Sequence, residues 1–126
     1  MRKNVGIFIF DDVDILDFSG PYEVFSRTRI VPGLESRLNN ETSPFNVFTV
    51  SRMVKDVKVS GGLQVTSDYI FKDSPTIDIL LIPGGLGTRK LLKCKETITW
   101  IQNVSKSVSL LTSVCTGSLL LAQAGL

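Results

Sequence analysis

Three short apolar runs, each stopped by a turn, limit what this chain can fold into more than any other feature. Val5 to Phe10 is one, Asp78 to Pro83 holds Ile79-Leu80-Leu81-Ile82, and Ser109 to Val114 is the third. Strands without polar alternation are buried on both faces, as the central strands of a helix-covered parallel sheet are. Helical patterns lie between them. Ser19-Gly20-Pro21 opens a helix carrying Tyr22, Val24 and Phe25, with Pro21 in its first turn and Glu23 near the positive dipole end. Lys95 to Val104 has helical spacing at Ile98, Ile101 and Val104, and a last helix runs from Thr116. Phe45 to Val50 alternates toward another strand. Lys58-Val59-Ser60 and Leu63 to Thr66 read as a small hairpin turning on Gly61-Gly62, while Arg29 to Pro44 is a polar loop. The order predicts an α/β fold, a doubly wound, flavodoxin- or Rossmann-like parallel sheet with a small β-hairpin.

A chain of 126 residues with 43% hydrophobic residues is expected to form one domain, residues 1–126. The net charge of +2 is spread out, with no basic run longer than Arg2-Lys3 or Arg89-Lys90, which argues against direct nucleic-acid binding by this segment. Two cysteines without framework spacing suggest a reducing, cytoplasmic setting. Val5 to Phe10 runs straight into Asp11-Asp12, too short for a signal peptide, and no stretch approaches membrane-spanning length. Gly125-Leu126 follows almost directly on the last helix. That ending predicts a domain truncated at its C-terminus, with uncovered apolar surface that leads to a homodimer or other self-association, or that belongs to a longer chain.

The third run breaks at Cys115-Thr116-Gly117-Ser118 into Leu119-Leu120-Leu121-Ala122. A strand that turns at one Cys into a helix is similar to a nucleophile elbow, with the side chain presented at a helix N-terminus and Thr116 N–H where an oxyanion would develop. A lone Cys after an apolar strand is more often a small buried hydrophobe, so the neighbouring motifs decide its reading. Cys94, between Lys93 and Lys95, reads as incidental. Asp11, Asp12 and Asp14 read as a solvated strand-end loop and not as a metal site. A phospho-receiver would need its acceptor Asp where Pro83-Gly84-Gly85 stands. Gly84-Gly85-Leu86-Gly87 lacks the third glycine of a dinucleotide fingerprint, so no cofactor is expected.

Three segments carry a resemblance: Asp14 to Phe25, the strand end Leu81-Ile82-Pro83-Gly84-Gly85, and Val114 to Leu119. In this order they resemble the ThiJ/PfpI superfamily, which has a class I glutamine-amidotransferase-like fold. Within it the chain is most similar to the isonitrile hydratase branch and to the sensor-like domains of AraC-type regulators. The resemblance implies Cys115 as nucleophile, an Asp17 carboxyl facing its sulfur, and the amides of Gly85 and Thr116 as paired donors to an anion, with a strained backbone at Cys115. Peptidase-like members have His directly after the nucleophile. Here Thr116 stands there and the chain contains no His, which disfavours amidase, peptidase and glyoxalase-like readings. The implied function is a cofactor-independent Cys-nucleophile enzyme, isonitrile hydratase-like, that adds water to a small-molecule isonitrile to give an N-substituted formamide. The alternative is a non-catalytic metabolite or redox sensor domain related to AraC-type transcription regulators.

Overall fold

Each apolar run becomes a strand because its side chains are wanted on both faces of one sheet. In the computed structural model, which describes residues 1–126, strands β1 (Lys3–Phe8), β2 (Phe45–Ser51), β5 (Tyr69–Ile70), β6 (Ile79–Ile82) and β7 (Leu110–Ser113) form a five-stranded sheet in the order β5-β2-β1-β6-β7. All its pairings are parallel, and Val5 lies opposite both Val47 and Ile79. Two short strands, β3 (Asp56–Lys58) and β4 (Gln64–Thr66), make the separate antiparallel hairpin around Gly61 and Gly62, both at positive φ.

The chain reaches β2 through helix α1 (Ile15–Arg27) and reaches β7 through α3 (Lys95–Ser105). The two crossovers step in opposite directions from the middle of the sheet. Right-handed crossovers therefore put α1 and α3 on opposite faces, which makes the sheet doubly wound. Strand order reverses between β1 and β6, so the crevice beyond their C-terminal ends is where such a sheet offers a site.

Both faces are filled. Val5, Ile7, Phe8, Leu80 and Ile82 are fully buried. On the α3 face Phe8 meets Phe71 and Trp100 at ring separations of 5.5 and 5.7 Å, and Phe71 stacks on Trp100 at 4.2 Å. On the other face Phe25 of α1 meets Phe45 edge-on at 4.9 Å, and Phe18 is buried. The polar loop after α1 is tied by the Arg29 guanidinium, which donates to the carbonyls of Ser26, Thr28, Ser36 and Asn39.

Several expectations need correcting. Helix α1 begins at Ile15, not near Ser19, because Asp14 takes the extended N-cap conformation and Ile15, Phe18 and Phe25 already share the face that packs on the sheet. Pro21 thus lies inside the helix and leaves the Asp17 carbonyl without its usual N–H partner. Among residues 1–126 strand β7 pairs with β6 alone, its side chains are only partly buried, and Leu110 is exposed. The two-residue β5 and the one-turn helix α2 (Thr88–Leu91) were not expected. The last helix, α4, spans Gly117–Gln123. No helix is long and apolar enough to cross a membrane.

Candidate functional site

The ends of β1, β6 and β7 bring three loops together. After β7 the chain turns through Cys115 with φ 53°, one of two non-glycine residues at positive φ, and enters α4. A residue with a Cβ is strained there by about 1–2 kcal/mol. The turn is tight because α4 starts against the end of β6: a side chain on Gly117 would collide with the Ile82 carbonyl. Val114 N–H donates to that same carbonyl at 3.0 Å, which fixes the turn to the neighbouring strand.

Cys115 is exposed, and its sulfur, the Asp17 carboxylate and the Asp14 carboxylate all lie within 4.8 Å of one another. Both aspartates are half-buried. A single residue after β6 anchors them. Gly84 N–H donates to Asp17 Oδ2 at 3.2 Å, and Gly84 C=O accepts from Asp14 N–H at 2.9 Å. Gly84 also has to be small: a Cβ there would lie 2.6 Å from Thr116 N, 2.7 Å from Thr116 Oγ1 and 3.0 Å from Cys115 Cβ.

The amides differ in their availability. Neither Cys115 N–H nor Thr116 N–H finds an acceptor within the protein. Gly85 N–H donates to Thr116 Oγ1 at 3.0 Å, so the hydroxyl of Thr116 already occupies this donor. Thr88, fully buried, donates to Gly85 C=O at 2.8 Å and stands 3.4 Å from Thr116 Oγ1, which holds the Gly85 peptide in place. The geometry therefore joins Cys115, Asp17, Thr116 and Gly85 in one locality, with Gly85 N–H turned toward a side chain.

Asp14 is the residue the sequence reading missed. Taken there as part of a solvated loop, it instead sits beside the sulfur, whereas Asp11 and Asp12 are exposed and Asp11 accepts from Lys58 N–H at 3.0 Å. Asp14, Asp17 and Cys115 are also the one trio of potential ligands close enough to share a metal ion, a mixture of hard carboxylates with one soft thiol.

Cys94 lies elsewhere, at the N-cap of α3, half-buried and accepting from Thr97 Oγ1 at 3.2 Å. It lines a cavity of about 300 Å³ with Phe8, Phe10, Arg52, Met53 and Lys90, beyond the ends of β1 and β2. Cys115 does not line that cavity. On α1, burial raises the titration of the Tyr22 hydroxyl above the usual tyrosine value, with a further push from the Asp68 carboxylate.

Residues 3–126 match the DJ-1/PfpI family. An isonitrile hydratase from Pseudomonas putida is 32% identical over 126 residues, all of this chain and 49% of that protein. An HTH-type transcriptional regulator, GbdR, from Pseudomonas aeruginosa is 27% identical over 124 residues, 98% of this chain and 31% of that one. A crystal structure of a ThiJ/PfpI family protein from Pseudomonas syringae superposes with a TM-score of 0.83 at 22% identity, over 99% of this chain and 47% of that chain. The chain thus spans about half the length of the hydratase, or less of the regulator.

Proposed function

The chain belongs to the DJ-1/PfpI family, and from that premise we propose that it carries a cofactor-independent, isonitrile hydratase-like site in which Cys115 is the nucleophile. The observation that supports this most is the exposed Cys115 sulfur, held on a strained turn within 4.8 Å of the Asp17 carboxylate. The likeness to the Pseudomonas putida hydratase, which extends over the whole of this chain, supports the same chemistry.

In this reading the sulfur bonds to the terminal carbon of the isonitrile. Asp17, having taken the thiol proton, delivers it to that carbon, giving a thioimidate. Asp17 is suited to the task because Gly84 N–H fixes its carboxylate, which lies within 4.8 Å of the sulfur. Thr116 N–H, free of any internal acceptor, is the donor to negative charge on the adduct. Gly85 N–H joins it when the Thr116 hydroxyl rotates away, since that hydroxyl is what occupies the amide at rest. Water then releases an N-substituted formamide and restores the thiol. No step calls for His, and the chain has none.

The test is formamide release from a simple isonitrile. Cys115→Ala should abolish it, since no other group is placed to form the covalent adduct. Asp17→Asn should slow it by about a hundredfold, the scale of a lost general acid, while leaving Cys115 open to alkylation by iodoacetamide. Full turnover by Cys115→Ala would refute the mechanism. A second reading, a metabolite or redox sensor, draws on the likeness to a transcriptional regulator over nearly the whole chain. It replaces the first if wild type releases no formamide while Cys115 is rapidly oxidised by peroxide.

A further inference from the structure

Hydration of an isonitrile needs separate proton transfers, one to its carbon and one to its nitrogen, and the site holds two carboxylates in different states of restraint. Asp17 is anchored through Oδ2 to Gly84 N–H. The Asp14 carboxylate makes no hydrogen bond within the protein, although its backbone is fixed by the 2.9 Å bond from its N–H to Gly84 C=O. Asp14 stands at the N-cap of α1, where an aspartate ordinarily accepts from the first-turn amides. Here it makes no such cap bond, and its carboxylate lies instead within 4.8 Å of both the Cys115 sulfur and Asp17. A half-buried carboxylate that gives up its cap and finds no other protein partner is left to hold water.

We propose that Asp14 is the base that activates the water in the second half of the reaction, a role that rests on the isonitrile hydratase reading above. In the first half, sulfur bonds to carbon and Asp17 gives that carbon the proton it took from the thiol, leaving a thioimidate with a carbon–nitrogen double bond. In the second half, a water oxygen held by Asp14 attacks this carbon. Asp14 takes one water proton and passes it to the nitrogen. The tetrahedral adduct then loses its hydroxyl proton, the carbon–oxygen double bond forms and the carbon–sulfur bond breaks. Sulfur leaves with its electron pair, and the last proton returns to the Cys115–Asp17 pair. The sum is isonitrile plus water giving formamide, with no oxidant or reductant consumed. Two carboxylates allow the division: Asp17 is held by Gly84 N–H, and Asp14, with no protein partner, is free to bind water.

The distinguishing measurement separates adduct formation from its breakdown. Wild type and Asp14→Asn are mixed with a simple isonitrile. Formamide release is followed by chromatography, and the mass added at Cys115 is followed by intact-protein mass spectrometry. Asp14→Asn should form the adduct within about threefold of the wild-type rate but release formamide about a hundredfold more slowly, so that the adduct accumulates. Asp17→Asn should instead be slow to form it. Asp14→Ser serves as a second variant with the same expected pattern, and a thermal melt of each variant confirms that α1 still folds. If Asp14→Asn and Asp14→Ser release formamide as fast as wild type, or lose adduct formation as fully as release, the assignment of Asp14 is overturned while the Cys115 mechanism stands. If wild type itself yields neither adduct nor formamide, the hydratase reading falls and Asp14's role falls with it.

Discussion

The strained turn at Cys115 predicts an inverted response to glycine. At most positions glycine destabilises a fold, because it loosens the unfolded chain. Cys115 has φ 53°, where any Cβ is crowded by the following carbonyl. Its side chain is exposed, so replacing it with Ala removes little packing and keeps the strain. Replacing it with Gly relieves about 1–2 kcal/mol of strain, against about 0.5–1 kcal/mol for the looser unfolded chain. The net difference, Gly over Ala, is about 1 kcal/mol in favour of Gly. For a chain of 126 residues, with an unfolding entropy of about 2.1 cal/mol/K per residue, that difference corresponds to a rise in Tm of about 4 °C. Calorimetric melts of Cys115→Gly and Cys115→Ala read it directly. Thr99, exposed at ordinary helical geometry in α3, supplies the control. There Thr99→Gly should melt below Thr99→Ala, by about 1 kcal/mol. If Cys115→Ala is as stable as Cys115→Gly or more so, the turn is not strained and the structural argument for a functional elbow is lost.

Two further outcomes follow from packing and charge. Phe8 is fully buried between Phe71, Phe10 and Trp100, so Phe8→Ala should cost about 3–5 kcal/mol, seen as a lower denaturant midpoint at unchanged slope. The Tyr22 phenolate should appear above the ordinary pH of 10.0, followed by its absorbance, because burial and then Asp68 favour the neutral form. Added salt should bring the midpoint partway back by screening Asp68, leaving the part due to burial. The sign for stability follows: the folded state holds this proton more tightly, so the contribution is complete below the unfolded value and is lost as pH rises through the folded one. A Tyr22 midpoint at or below 10.0 would contradict this.

How much of the fold could be read from the sequence depends on how far each element is determined locally. The strand cores of β1, β2 and β6 and the hairpin at Gly61-Gly62 follow from patterns contained within each segment. The chain order of strands and helices then leaves a doubly wound parallel sheet as the solution. Elements that depend on a partner are hidden. Tyr69-Ile70 is too short to show alternation and is a strand only because Val50 and Ser51 present an open edge to it. Thr88–Leu91 is a single turn whose first residue is buried by contact with Gly85 and Thr116, which no periodicity in four residues can announce.

The candidate site divides in the same way, and one misplaced boundary accounts for its missing member. Cys115 and Thr116 announce themselves at a strand-to-helix junction, whereas Asp17 and Gly85 are implied only by the family resemblance. Starting the first helix near Ser19 left Asp14 in a loop. Started at Ile15, the helix puts Asp14 at the N-cap and Asp17 three residues on, and residues three apart stand on the same side of a helix. The spacing Asp-Ile-Leu-Asp was therefore the available signal, concealed by Pro21, which reads as a helix start but lies well inside α1. What no pattern carries is the difference between the two carboxylates. It comes from Gly84, which approaches Thr116 closely because it has no side chain, and whose N–H then reaches Asp17 while its carbonyl takes the backbone of Asp14. One glycine thus fixes one acid by its side chain and the other only by its main chain, and the division of steps proposed for Asp17 and Asp14 rests on this asymmetry.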